Sequence, residues 1–236
     1  MASLVRKFRR FYRGFVSDVI GADSFSERFV SAATPVLVGG CGRSGTTLLR
    51  LMLDSHRHIC CGPESRLFLP GKVNYEWLSD QFAIPLGTVK RIYKSADSRA
   101  DFIDRFFATY CQVTGKGRWA EKTPKNVTRL DFIWSAFPQA RFVHLIRDGR
   151  DVVCSLRTHP RHKVVDGKLT VLDTRNPIEN CIERWVADVG AARQHRTDPR
   201  YLEVRYEDLV LTTRSTLETV LRFVEEPWDE NVLHHK

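Results

Sequence analysis

Pro35-Val36-Leu37-Val38-Gly39-Gly40-Cys41-Gly42-Arg43-Ser44-Gly45-Thr46-Thr47 is the stretch whose reading decides the fold. An apolar run of β character enters a glycine-rich turn, and a helical pattern from Thr46 to about Ser55 leaves it. Gly40 and Gly45 stand where a phosphate loop of the form G-x-x-x-x-G-K-[ST] has its glycines. The amides of such a loop, together with the helix N-terminus, make a nest for an anion. Thr46 occupies the lysine position, and a cation, Arg43, stands three residues earlier. A triphosphate is held with that lysine and with magnesium on a nearby aspartate. The pattern therefore predicts a less highly charged anion, bound without metal.

Outward from this loop, strands alternate with helices. Residues 58–61 predict a short strand, Asp101 to Gln112 a long helix, and Arg118–Glu121 another strand. Asn126 is read as the N-cap of a helix ending before Pro138. Arg141–Ile146 is apolar through its second half, as a central parallel strand should be. Asp148 then caps a helix to about Arg157, a helix follows over Pro177–His195, a strand over Tyr201–Arg205 and a last helix over Thr213–Val224. The order predicts an α/β fold, a three-layer P-loop-like domain with a central parallel sheet flanked by helices. Two zones result: a basic amphipathic segment over residues 1–34 and the α/β domain over residues 35–236.

Composition excludes other classes. With 42% hydrophobic and 28% charged residues, the 236-residue chain is neither disordered nor collagen-like, and its apolar runs fall far short of a membrane span. A formal net charge of +9 favours anionic partners: nucleic acid, an anionic membrane face, or a phosphate- or sulfate-bearing ligand. The cysteines Cys41, Cys60, Cys61, Cys111, Cys154 and Cys181 contain no C-x-x-C pair and suit reduced thiols, so a cytoplasmic location is expected. Between residues 4 and 19, Arg6, Lys7, Arg9, Arg10 and Arg13 alternate with Leu4, Phe8, Phe11, Tyr12, Phe15 and Val19. That helix either packs on the domain or makes a weak peripheral membrane contact. No nucleic-acid fold signature accompanies it. The cluster His56-x-His58-x-Cys60-Cys61 lacks the two separated pairs of a structural zinc site, and no metal is expected.

Arg43-Ser44-Gly45-Thr46-Thr47 after an apolar strand resembles the 5′-phosphosulfate loop of sulfotransferases that use 3′-phosphoadenosine 5′-phosphosulfate (PAPS). Ile146-Arg147-Asp148-Gly149-Arg150-Asp151, with Ser155 after it, resembles the 3′-phosphate segment of that family. Glu121-Lys122-Thr123-Pro124-Lys125-Asn126 and Val204-Arg205-Tyr206-Glu207-Asp208-Leu209 agree as well. Within the family the likeness is to the tyrosylprotein sulfotransferase branch and its bacterial relatives. There Cys61-Gly62-Pro63-Glu64-Ser65-Arg66 is similar to an element whose glutamate is the catalytic base.

The resemblance implies metal-independent transfer of a sulfuryl group from PAPS to an acceptor hydroxyl, on a peptide tyrosine, a carbohydrate or a small molecule. It implies Glu64 as general base, with Arg43 and Lys122 meeting the charge that develops on the leaving phosphate. Arg43, Ser44, Gly45, Thr46 and Thr47 would cradle the 5′ end; Arg147 and Ser155 would fix the 3′-phosphate, and Tyr206 would lie near the nucleotide. The residues from Leu67 to Asp101 are expected to shape the acceptor site. Family members continue past the Pro227-Trp228 position with a loop that closes over the nucleotide; nothing before Lys236 supplies it. The alternatives are a P-loop kinase for a small molecule, a remnant that binds 3′,5′-adenosine bisphosphate (PAP) without turnover, and a membrane module using the basic helix.

Overall fold

The apolar run ahead of the glycines folds as β1, Val36–Gly39, with all four residues buried. A computed structural model describes residues 29–159, 161–165, 168–172 and 175–234. In chain order the other elements are α1 (Thr46–Ser55), β2 (Ile59–Cys61), α2 (Tyr75–Phe82), α3 (Leu86–Lys94), α4 (Arg99–Thr114) and β3 (Arg118–Lys122). A 3-10 turn over Pro124–Thr128 leads to α5 (Leu130–Ala136), β4 (Arg141–Ile146) and α6 (Gly149–Arg157). β5 (Arg161–Val165), β6 (Lys168–Leu172), α7 (Ile178–Arg193), β7 (Tyr201–Arg205), α8 (Tyr206–Leu211) and α9 (Thr213–Phe223) complete it, with a 3-10 turn at Glu230–Leu233.

Five strands make one parallel sheet in the order β2-β3-β1-β4-β7. β1 lies at its centre, with Val38 opposite Lys122 on one side and Val143 on the other. The strand period of two sends Leu37 to one face and Val36 and Val38 to the other. On the first face α2 to α5 cover an aromatic core in which Phe107 stacks on Trp119 at 4.6 Å and Phe82 meets Phe106 at 5.1 Å. On the second, α1 and α9 bring Leu49, Leu53, Leu217 and Val220 onto Ile59, Val143 and Leu145. Full burial of each such side chain stabilises the fold by roughly 1.5–3 kcal/mol. This is the expected three-layer arrangement.

β2 is a sheet edge, and α1 satisfies its free side. Arg50 Nη1 donates to Cys61 O at 3.0 Å, and Asp54 Oδ1 accepts from Cys61 N at 2.8 Å. One turn of helix separates Arg50 from Asp54, so the helix that leaves the phosphate loop also aims the strand that leads to Glu64.

The structure departs from expectation in four places. Asn126 does not cap a helix: its side chain is buried and donates to Glu121 Oε2 at 2.6 Å, and α5 begins at Leu130. α2 and α3 sit in a stretch expected only to shape the acceptor site, because each is short and α2 ends on Ala83 at φ 53° where glycine is the usual signal. β5 and β6 form a separate antiparallel hairpin. α8 follows β7 directly, so Tyr206 opens a short helix that was not expected between that strand and the last helix. The basic segment at residues 4–19 lies outside the described residues. Ser31 N donates to Ala136 O at 2.8 Å, so the chain packs on α5 from there onward.

Candidate active site

Three strand ends, β1, β3 and β4, open onto the same edge of the sheet, where ligands of parallel α/β sheets bind. The β1 loop turns through two left-handed residues, Arg43 at φ 77° and Gly45 at φ 87°. Glycine is needed at the second: a Cβ there would strike the ring of Tyr206. Gly45 precedes α1 with no side-chain cap, so the first amides of that helix face outward into the loop. Ser44 Oγ is buried inside it and has no partner among the described residues. A buried hydroxyl without a partner is costly, and an anion in the nest would accept from it.

Four of the expected residues come together on one side of the loop. Arg43 Nε donates to Ser155 Oγ at 3.0 Å. Arg147 Nη1 lies 3.5 Å from Arg43 O, and its guanidinium sits 4.7 Å from the centre of the Tyr206 ring. Arg147 is positioned by its backbone: Trp185 Nε1 on α7 donates to Arg147 O at 3.2 Å, and Glu207 Oε1 accepts from Asp148 N at 2.9 Å. Asp151 Oδ2 accepts from Arg147 Nη2 at 3.1 Å, while Arg147 Nε is buried without a partner among the described residues. Asp148 caps α6 as expected, accepting from Arg150 N at 2.9 Å; its hydrogen bonds to Arg150 hold its carboxyl down at about 2.

The other expected residues meet on the far side. Lys122, 3% exposed at the end of β3, donates to Glu64 Oε1 at 2.7 Å and to Thr47 Oγ1 at 3.3 Å. Lys122 therefore links the carboxylate to the phosphate loop. Arg43 points away from this pair toward Ser155, so the two cations expected to share one developing charge stand at separate ends.

Motif reading missed the residues behind this pair. Glu121, 1% exposed, accepts at Oε1 from Ser65 N (3.1 Å), Ser65 Oγ (2.9 Å) and Thr123 Oγ1 (2.6 Å). Burial raises its carboxyl above the usual range against the lowering effect of those bonds. Asp188 on α7 is also buried and holds Lys125 at 2.5 Å and Arg184 at 3.7 Å. Cys41 in the loop is pushed up to about 12 by burial and by Asp188, so its thiol stays protonated and unreactive. The usable signal for Glu121 was a carboxylate inside an otherwise buried strand, a residue type that is rarely buried without a purpose.

His56, His58 and Glu226 offer ligand atoms within 4.8 Å of one another. Both nitrogens of His56 are engaged, Nε2 with Pro227 O at 3.0 Å and Nδ1 accepting from His58 N at 3.1 Å. Cys60 turns instead to Cys111, Sγ to Sγ 3.5 Å, so the four neighbours in sequence do not converge. Among the described residues no helix is long and apolar enough to cross a membrane.

A family model described as the sulfotransferase family matches residues 35–230. The chain belongs to the sulfotransferase family. A protein-tyrosine sulfotransferase of Drosophila melanogaster is 29% identical over 211 residues, covering 85% of this sulfotransferase-family chain and 40% of the relative. A protein-tyrosine sulfotransferase 1 of Homo sapiens is 29% identical over 213 residues, 85% of this chain and 54% of its own. The chain spans about half the length of the curated relatives it matches. Among solved structures, the sulfotransferase domain from the curacin biosynthetic pathway superposes with a TM-score of 0.61 at 19% identity, covering 86% of this chain and 77% of that one. The sulfotransferase fold is thus shared at low sequence identity.

Proposed function

We propose that the chain transfers a sulfuryl group from PAPS to an acceptor hydroxyl, without metal, using Glu64 as general base. The observation that carries this reading is that Lys122 joins a lysine-free phosphate loop, at Thr47, to the Glu64 carboxylate. The residues fit the donor: Ser44 Oγ and Arg147 Nε are buried and unpartnered among the described residues, and Arg43, Arg147 and Ser155 cluster where a second phosphate would lie.

When bound, PAPS supplies a sulfuryl group already attached to a phosphate leaving group. The loop amides and Ser44 would hold its 5′ end; Arg43, Arg147 and Ser155 would hold the 3′-phosphate, and Tyr206 would support Arg147 from below. Lys122 would hold the bridging oxygen as negative charge grows there, with Thr47 beside it. An anion in the loop competes with Glu64 for the Lys122 ammonium. Donor binding would then release the carboxylate to accept a proton from the acceptor at Oε1 or Oε2. One residue serves both ends of the transfer, which couples donor binding to activation of the base. Arg43 reaches the leaving phosphate only if it leaves Ser155, so its first role in this reading is at the 3′-phosphate.

The acceptor we propose is a tyrosyl hydroxyl, by analogy with relatives named protein-tyrosine sulfotransferases. A reducing cytosol is part of the same reading, supported by six free thiols. The test is transfer from sulfur-35-labelled PAPS to a tyrosyl peptide flanked by acidic residues, with a carbohydrate and a simple phenol as parallel acceptors. Label in an acceptor with matching release of PAP is the expected result. Turnover of magnesium-ATP with no labelled acceptor would overturn it in favour of a small-molecule kinase, and PAP binding without transfer would favour a binding remnant.

A further inference from the structure

The loop after β2 straddles the end of β3. Glu64 falls on the side of Lys122, whereas Ser65 falls on the side of Glu121, because alternate strand residues face opposite ways. Glu121 Oε1 takes both the amide and the hydroxyl of Ser65, and Thr123 Oγ1 takes the amide of Arg66 at 3.2 Å. The two residues that follow Glu64 are therefore gripped by the two residues that flank Lys122. Arg66 itself is left-handed at φ 58°, a conformation a non-glycine residue keeps only when its surroundings hold it. All four donors to Glu121 are uncharged, Ser65 twice, Thr123 once and Asn126 once, so the carboxylate serves geometry rather than an ion pair.

We propose that Glu121 is a positioning residue: it fixes the backbone on which Glu64 rides and so sets the turnover of the transfer proposed above, on which this inference rests. Through Asn126 the same carboxylate ties the loop to the 3-10 turn, where Pro124 O accepts from Gly40 N at 3.0 Å. One buried group thus joins the base-bearing loop to the start of the phosphate loop. A sub-ångström shift of Glu64 against Lys122 is enough to slow a reaction that depends on orientation.

Glu121→Met keeps the approximate volume and removes both oxygens that accept from Ser65, Thr123 and Asn126; glutamine would keep one acceptor for Ser65 and offer its amide to the buried Asn126 Oδ1. On the full chain with PAP present, hydrogen exchange followed by mass spectrometry should quicken at least tenfold at Ser65 and Arg66 and stay unchanged in residues 46–55. With labelled PAPS and the tyrosyl peptide, kcat should fall about 10–100-fold with KM for PAPS unchanged. The double variant with Glu64→Gln should be no slower than Glu64→Gln alone, since Glu121 acts through Glu64. Unchanged exchange at Ser65 and Arg66, or losses that multiply in the double variant, would overturn the proposal. Wild-type turnover by Glu64→Gln would overturn the base itself, and the exchange result would still decide whether Glu121 holds the loop. If Glu121→Met does not fold, Thr123→Val removes one donor to Glu121 and, with it, the acceptor of the Arg66 amide at constant volume, so exchange at Ser65, which Thr123 does not touch directly, is the readout that should quicken, with kcat falling by less.

Discussion

At the Arg147 end of the site, charge is organised by other charges and by an aromatic ring. Arg43 and Asp151 are exposed and Arg147 is half-buried; Arg147 pairs with Asp151 four residues on, reaches Arg43 O across the loop, and has the Tyr206 ring beneath it. At the Glu64 end, Lys122, nearly buried, holds one carboxylate oxygen of Glu64 and Arg66 Nη2 lies 4.0 Å from the other, and the loop that carries them stands on a network of hydroxyls and amides around Glu121. The first arrangement tolerates adjustment and suits the recognition of phosphates. The second is over-determined and suits chemistry, where orientation decides the rate. On the function proposed above, affinity for the nucleotide would belong chiefly to the first end and turnover to the second.

The largest effect should come from the second end. Glu64→Gln is expected to lower kcat by about 10²–10⁴, as loss of a general base does, while PAP affinity measured by calorimetry stays within about twofold. Lost affinity would instead make Glu64 part of the nucleotide site. Lys122→Met should cost about 10²–10³ in kcat by removing a donor to the developing charge. It should also weaken PAP, and more than Glu64→Gln does, because Lys122 touches Thr47 on the loop. Equal behaviour of the two variants would merge the two ends into one.

Arg147→Ala tests the first end. Losing a charge-assisted bond of roughly 1.5–3 kcal/mol should weaken PAP about 10–150-fold and leave 5′-AMP nearly untouched. Equal losses for both ligands would remove the 3′-phosphate assignment. Tyr206→Leu should be milder, about 0.5–2 kcal/mol in PAP affinity, since it removes the ring under Arg147 and keeps the ion pair.

A smaller effect belongs to neither end. His144 on β4 is fully buried, and burial holds it down at about 4; its Nδ1 lies 2.5 Å from Tyr201 Oη. A histidine with a depressed folded pKa takes up its proton only when the chain unfolds. Its contribution is complete above pH 6.5 and is lost as pH falls toward 4. Between pH 6.5 and 5.5 the loss should be about 1 kcal/mol. Thermal melts at the two values would show it, and a His144→Leu variant should lack that part of the slope.

The sequence made the central layer legible because each parallel strand is a short apolar run with turn chemistry at its end, as in Val36–Gly39 and Arg141–Ile146. The first end of the site was legible for the same reason: glycines, a misplaced cation and a cap at Asp148 have local signatures. Glu121 left only the weak signal of a carboxylate within a buried strand, because its decisive partner lies 56 residues away at Ser65 and the others two and five residues on at Thr123 and Asn126. Side-chain networks of that kind follow from the fold and leave no spacing to read. α2 and α3 were hidden differently. Their apolar residues serve an aromatic core, and Ala83 ends α2 without a glycine. The direction of Arg43 was also out of reach, since the left-handed backbone at that position decides it.

Calorimetric titration of the chain with PAP, set against 5′-AMP and against magnesium-ATP, decides whether the loop and Arg147 form a PAPS site. Micromolar binding of PAP, about −8 kcal/mol, at least tenfold weaker binding of 5′-AMP, and no preference for magnesium-ATP are expected. Magnesium-ATP binding tighter than PAP would contradict that assignment, because a lysine-free loop flanked by Arg147 and Ser155 would then be holding a triphosphate.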